Sequence, residues 1–236
     1  MTKENLLFAI IGMLIGLIVG FFATNSLNQG MLAPATTATQ PAPAGLPAGH
    51  PAVPDGTGGT GGGGAVPEIQ AAIDKAKQDP NDFEAQMKAA ELYYQIQRFD
   101  GAAEFLKKAN AIQPDNYEVI VNLGNAFFDA GKYDEAEKWY TMALAKKPDN
   151  LDVRTDFALT FVFRDKPNYD RAITELKSVL ESNPAHVQAL QNLAVAYTKK
   201  PDQANASATL ARLEQVDPSN TAIAKLREDI EKMGRK

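Results

Sequence analysis

Few side chains in this sequence are of the types that bind metals or carry out covalent catalysis. The chain has no cysteine, which excludes thiolate zinc sites, disulfides and a cysteine nucleophile. It has two histidines, His50 and His186, and neither has a second metal ligand or a nucleophilic partner at a motif spacing. Gly56, Gly58 and Gly61 match G-x-G-x-x-G, but they follow a Pro-rich coil, whereas a dinucleotide site needs a strand before the glycines and a helix after them. The sequence therefore predicts no enzyme, no metal site and no cofactor.

The charged residues divide the chain into regions. Residues 5–54 contain no Asp, Glu, Lys or Arg, whereas 50 of the 53 charged residues lie in 68–236. Between residues 31 and 67, 29 of 37 are Ala, Pro, Gly or Thr, which leaves too few large apolar groups to form a core. We predict an N-terminal transmembrane anchor (1–23), a disordered linker (24–67) and a folded domain (68–236). The net charge of −5 argues against nucleic acid as a partner.

Residues 6–23 form the uncharged apolar segment that predicts the membrane anchor. As a helix these eighteen residues are roughly 27 Å long, which is close to the hydrocarbon thickness of a bilayer. A cleaved signal peptide is the alternative, but its apolar core would be unusually long and no small-x-small site follows it closely. Lys3 precedes the segment and the next base is Lys75, so the positive-inside rule favours a cytoplasmic N-terminus. We expect a single-pass inner-membrane protein with its C-terminal domain on the exported, periplasmic side.

Three glycines of this segment, Gly12, Gly16 and Gly20, recur every four residues on one helix face. This spacing allows two membrane helices to approach closely, which makes the face a candidate surface for homo-oligomerisation. Glycine is also common in membrane helices in general, and the pattern does not decide between these two interpretations.

A repeat of about 34 residues occupies the C-terminal region. Its prolines are separated by 34, 34, 36 and 34 residues, and they are Pro80, Pro114, Pro148, Pro184 and Pro218. Small residues recur in register, at Ala90, Gly124, Ala158 and Ala194. Between the prolines the apolar residues follow two runs with i, i+3, i+4, i+7 spacing. Each unit therefore predicts a helical hairpin that ends at a proline and buries its apolar face by stacking on the next unit.

The unit of residues 117–150 resembles the tetratricopeptide repeat. The residues that carry the resemblance, in the order and spacing of that family, are Leu123, Gly124, Phe127, Gly131, Tyr133, Ala136, Tyr140, Ala143, Leu144 and Pro148. Units 83–116, 151–186 and 187–220 keep parts of the same pattern, the third with two extra residues in its turn. The resemblance implies an all-α solenoid of four helix-turn-helix repeats, with a leading helix at 68–77 and a capping helix at 221–236.

In this family the first helices of successive repeats line a concave groove. The resemblance implies that the groove residues here are Met87, Glu91, Tyr94, Glu118, Val121, Asn125, Phe128, Asp152, Leu159, Phe163 and Gln191. Some family members clamp a partner's C-terminal carboxylate with Lys, Asn and Arg, but Met87 and Asp152 stand at two of the Lys positions, so such tails are not expected. Glu118 and Asp152 also lie in the first turn of their helices, where the helix dipole favours a carboxylate whatever binds. The groove is expected to be apolar and aromatic at its centre, with an acidic rim. The alternative for the rings of Tyr94 and Phe128 is burial between neighbouring repeats, where they would not contact a ligand.

These features favour a binding module over an enzyme. We expect a membrane-anchored protein that recruits or holds a client protein or peptide in its groove, with Phe128, Phe163 and Tyr94 as aromatic contacts. Anchored tetratricopeptide proteins of cytochrome c maturation have a similar layout, which suggests a role in envelope or cytochrome c-type assembly. The alternative is a homo-oligomeric scaffold, built through the repeats and the glycine face of the anchor, with no separate client.

Overall fold

The structure is a computed structural model, and residues 65–235 are described. They form ten α-helices, and no strand occurs among them. The helices are α1 (Ala65–Gln78), α2 (Phe83–Gln95), α3 (Phe99–Ile112), α4 (Tyr117–Asp129), α5 (Tyr133–Lys146), α6 (Leu151–Phe163), α7 (Tyr169–Ser182), α8 (Val187–Lys199), α9 (Gln203–Val216) and α10 (Ile223–Met233). Each helix packs mainly on the one before and the one after it, which is the arrangement of an α-solenoid.

The predicted membrane segment, including Gly12, Gly16 and Gly20, lies outside the described residues. Of the helices within 65–235, none is both long enough and apolar enough to cross a bilayer. Helix α1 begins at Ala65, inside the stretch 24–67 whose composition predicts a linker.

Polar side chains fix where the first helix of each repeat begins. The carboxylate of Asp82 accepts a hydrogen bond from the backbone N–H of Ala85, and the side chains of Asn116 and Asn150 cap α4 and α6 in the same way. His186 caps α8, because its Nδ1 accepts from the N–H of Ala189 at 3.2 Å. His186 therefore has a structural role as a helix cap.

Gly124 marks the closest approach of the two helices of the second repeat. A Cβ atom at this position would lie 2.5 Å from Cε1 of Tyr140 on α5. The Tyr140 side chain is fully buried, and its hydroxyl donates a hydrogen bond of 2.9 Å to Oδ1 of Asn125. The small residue that the repeat pattern places here is thus required by packing.

The two extra residues of the third repeat lengthen the turn between α6 and α7. Arg164 lies in this turn, and its guanidinium carbon is 4.6 Å from the centre of the Phe161 ring. The same guanidinium forms an ion pair with Glu137 on α5, and its Nε donates to the carbonyl of Thr160 at 3.2 Å. The longer turn therefore connects the third repeat to the second.

Both ends of the stack are covered by helices that bury one apolar face. At the N-terminal end, Ile73 and Ala76 of α1 are buried, and Nε2 of Gln86 donates to the carbonyl of Ala76 at 2.6 Å. At the C-terminal end, α10 packs on α8 and α9. Its buried side chains are Ile223, Leu226 and Ile230. The predicted leading and capping helices are both present.

Candidate binding groove

The first helices of the first two repeats enclose a cavity of about 500 Å³. Most of its wall comes from α2 and α4, and Leu106 of α3 contributes as well. The lining includes Phe83, Glu84, Met87, Lys88, Ala90, Glu91, Tyr94, Gln95, Leu106, Glu118, Asn122 and Asn125. Of the groove residues that the sequence predicts, Met87, Glu91, Tyr94, Glu118 and Asn125 are brought together here.

Two predicted groove residues are core residues instead. Phe128 is 2 % exposed, and its ring packs edge-on against Tyr133 and Phe163, with ring centres 5.2 and 6.2 Å apart. Leu159 is also buried. The prediction that these two side chains face a ligand is wrong, because both are buried in the core, Phe128 against rings of its own repeat and of the next. The other two members of this aromatic group, Tyr133 and Phe163, are half-buried.

The other predicted groove residues lie outside this cavity. Val121 and Gln191 are half-buried, and Asp152 is exposed. The Asp152 carboxylate lies 3.1 Å from Nε2 of His186, which caps α8, the first helix of the next repeat. A contact of this kind between repeats accounts for Asp152 without any ligand.

Tyr94 belongs to both the cavity and the packing between repeats. Its ring lines the cavity and packs edge-on against Phe99, with centres 5.1 Å apart. Its hydroxyl donates a hydrogen bond to Oδ2 of Asp129 at the end of α4. Burial, followed by the charge of Asp129, raises the pKa of Tyr94 above its ordinary value, so the hydroxyl stays protonated. The ring is therefore held rigidly in the cavity wall.

Asn125 lies on the floor of the cavity and is fully buried. Because Oδ1 of Asn125 accepts the hydrogen bond from Tyr140, its orientation is fixed by the packing of α4 on α5. The side chain has a structural role that its position in the groove pattern does not indicate.

A buried carboxyl group, Asp156 on α6, is the functional candidate that sequence reasoning missed. The side chain is fully buried, and neither carboxyl oxygen has a hydrogen-bond partner among the described residues. Burial, then the negative charges of Asp152 and Asp129, raises its pKa well above the ordinary value for an aspartate. The sequence did carry a signal, since Asp156 directly precedes residues 157–163, a largely apolar run without a charge.

The rim of the cavity carries exposed carboxylates. Glu91 pairs with Lys88 at 3.1 Å. Glu84 and Glu118 are exposed and form no ion pair with any other residue in 65–235. Within the same range, no three His, Cys, Asp or Glu side chains are grouped closely enough to hold a metal ion. The rim can therefore attract a cationic group of a ligand.

Comparisons with known proteins identify the repeat. Two family models described as tetratricopeptide repeat match, one over residues 97–156 and 165–230 and the other over 63–117. A search of curated proteins found no match. Among solved structures, MamA aligns with a TM-score of 0.56 and 23 % identity, covering 68 % of this chain and 85 % of that chain.

Two further structures show the same likeness. YrrB, described as a TPR protein with an unusual peptide-binding site, aligns with a TM-score of 0.58 and 18 % identity, over 70 % of this chain and 86 % of its own. The MamA fragment from residue 41 to its end, from Desulfovibrio magneticus RS-1, aligns with a TM-score of 0.59 and 14 % identity. The alignment covers 67 % of this chain and 89 % of that chain. At these identities the likeness shows the fold alone. Since the first family model matches more than half of the chain, the protein belongs to the tetratricopeptide repeat family.

Proposed function

We propose that the solenoid holds a segment of a client protein in its concave groove. The observation that carries this proposal is the cavity between α2 and α4, whose wall combines apolar side chains with polar ones from two successive repeats. Met87, Leu106 and the ring of Tyr94 offer apolar contacts, while Glu118 and Asn122 offer polar ones. Concave sites with this mixture are typical of ligand sites, and an extended peptide across both helices contacts two repeats at once.

The proposal includes a place for the solenoid in the cell. A membrane helix at 6–23 with a linker at 24–67 would hold it on the exported side of the inner membrane. A flexible chain of the linker's length spans on the order of 35–40 Å, so the groove could reach clients near the membrane surface. A protein that captures a client during envelope or cytochrome c-type assembly needs this combination. The absence of Lys and Arg between Lys3 and Lys75, and the position of Lys3 before the apolar segment, support this part of the proposal.

A homo-oligomeric scaffold is the competing function, and the described surface gives it less support. Association through the repeats would favour a continuous exposed apolar patch. The exposed large apolar side chains among the described residues are Ile96, Met142 and Val216, which belong to three different repeats. Self-association through the glycine face of the anchor is compatible with either function.

Photo-crosslinking in native membranes distinguishes the two functions. A photoreactive amino acid replaces Met87 inside the cavity and, as the matched control, Met142, which is exposed on α5, a second helix. We expect a covalent adduct with a different protein from position 87 and none from position 142. Adducts from position 142 only would overturn the groove proposal. Adducts that contain this chain alone would favour the scaffold.

A further inference from the structure

Acidic residues are concentrated on the first helices of the first three repeats. Helices α2, α4 and α6 carry six acids and two bases, whereas the second helices α3, α5, α7 and α9 carry nine acids and seven bases. Both bases of the first set are paired, Lys88 with Glu91 at 3.1 Å and Arg154 with Glu175 at 2.8 Å. Glu84 and Glu118 are exposed and have no ion-pair partner in 65–235, so this part of the concave side carries negative charge that the described residues do not compensate.

A second observation lies beneath this surface. Asp156 is fully buried without a hydrogen-bond partner among the described residues, and the charged groups that act on it, Asp152 and Asp129, are also negative. Asp156 is electrostatically coupled to the hydroxyl of Tyr94, whose ring lines the cavity. Burial therefore opposes ionisation of Asp156, and a cation bound in the nearby cavity would reduce that opposition.

We infer that the cavity between α2 and α4 binds a lysine or arginine side chain of an extended client segment, with apolar residues of that segment beside it. Glu84 of α2 and Glu118 of α4 lie on the rim of the cavity and can pair with the cation, while its aliphatic stem contacts Met87. The face of Tyr94 adds a site for a cation–π contact. An acidic segment would be repelled, and a neutral one would cover these carboxylates without compensating their charge.

The occupant is a basic segment of another protein and not the linker of this chain. No Lys or Arg occurs between Lys3 and Lys75, so residues 24–67 have no cation to offer, while Asp55 adds a negative charge. This inference rests on the proposed function, because it specifies which segment of a client the groove recognises.

The test is selection from a displayed library of short random peptides on the full-length chain in a non-ionic detergent. Selection is repeated on Glu84→Gln/Glu118→Gln and on a matched control, Glu104→Gln/Glu135→Gln, which removes two exposed carboxylates from the second helices α3 and α5. All four residues are exposed, and circular dichroism checks that both variants keep the parent's helicity. Selected peptides are finally tested for crosslinking to a photoreactive residue at position 87.

We expect peptides selected on the parent and on the control to be enriched in Lys and Arg beside apolar residues, with the enrichment lost on the groove variant. Replacing the arginine of a selected peptide by its uncharged isostere citrulline should weaken binding about tenfold. Equal enrichment on both variants, no enrichment, or no peptide recovered would overturn the inference. Neutral peptides that still crosslink to position 87 would refute the charge preference and leave the proposed function standing. Basic peptides that never crosslink there would refute both.

Discussion

Replacing Gly124 by leucine is expected to destabilise the solenoid where α4 contacts α5. The first added carbon would lie 2.5 Å from Cε1 and 2.6 Å from Cδ1 of Tyr140, which is far below a normal carbon–carbon contact. The Tyr140 ring is fully buried, and its hydroxyl is bonded to Asn125. It can move away only by disturbing the packing around it and breaking that hydrogen bond.

The expected loss follows from these contacts. Overpacking a core costs about 1–3 kcal/mol, and leaving a buried polar group without its hydrogen bond costs about 1–3 kcal/mol more. Removing glycine from a helix interior returns up to about 1 kcal/mol. The free energy of unfolding should therefore fall by about 1–6 kcal/mol for Gly124→Leu. For Gly124→Ala, which adds only the first carbon, we expect a loss of about 1–2 kcal/mol.

Gly101→Ala is the matched control. A Cβ atom there would lie even closer to a tyrosine, 2.0 Å from Cδ1 of Tyr93, but that side chain is only half-buried and can turn toward solvent. We expect the free energy of unfolding to change by less than about 1 kcal/mol. The cost of moving the Tyr93 side chain is partly offset by the better helix propensity of alanine.

Urea unfolding followed by circular dichroism at 222 nm measures the free energy of unfolding of the Gly124 and Gly101 variants. If Gly124→Leu unfolds at the same urea concentration as the parent, or if Gly101→Ala is equally damaging, the close contact of α4 with α5 does not limit stability. In either case the packing argument is wrong.

Four further expectations concern the fold, the core, the buried acid and the rim. Residues 65–236 expressed alone should give a strongly helical circular dichroism spectrum, and appreciable strand signal would contradict the fold. Phe128→Ala should lower the free energy of unfolding by about 3–5 kcal/mol by leaving a core cavity, and an unchanged urea midpoint would contradict its burial. The Asp156→Asn substitution should stabilise the folded protein more at pH 7 than at pH 5, as measured by thermal unfolding. The raised pKa of Asp156 makes the folded parent hold a proton that the unfolded chain releases, so parent stability falls as pH rises above about 4, and parallel profiles would contradict this. Glu118→Gln should mainly slow association of a basic peptide selected on the parent, in stopped-flow measurements at two salt concentrations, and an unchanged salt dependence would contradict a rim role.

The architecture of the described residues follows from the sequence because its determinants are local and repeated. Prolines such as Pro114 and Pro148 follow the ends of second helices, and Asn116 and Asn150 cap the first helices that come next. Each signal acts within a few residues of its position, and four copies reinforce one another. The spacing therefore predicts the number and order of helices without knowledge of their contacts.

The exposure of individual side chains is not predictable in this way. Tyr94 and Phe128 stand at the same position of consecutive repeats, yet the ring of Tyr94 lines the cavity and Phe128 is buried. The difference comes from what the next repeat offers. Asp129 of the second repeat lies beside Tyr94, whereas Phe163 of the third repeat packs against Phe128, which also contacts Tyr133 of its own repeat. The register of a repeat gives the direction of a side chain, and its neighbours decide whether that direction leads to solvent.

Neighbouring residues also decide whether a charged side chain at a given repeat position is exposed or buried. Lys88, Asn122 and Asp156 occupy one position in three consecutive repeats, and they are exposed, half-buried and fully buried respectively. At the first repeat the charge is solvated and paired with Glu91, so it contributes little to stability. In the third repeat this position holds the carboxyl group of Asp156. The neighbouring charges that act on it, those of Asp152 and Asp129, are also negative. A buried acid of this kind destabilises the folded chain whenever it ionises. A cation supplied by a bound client would reverse that effect, because it favours the ionised form that the fold alone opposes. Binding of a basic segment should thus release a proton from Asp156.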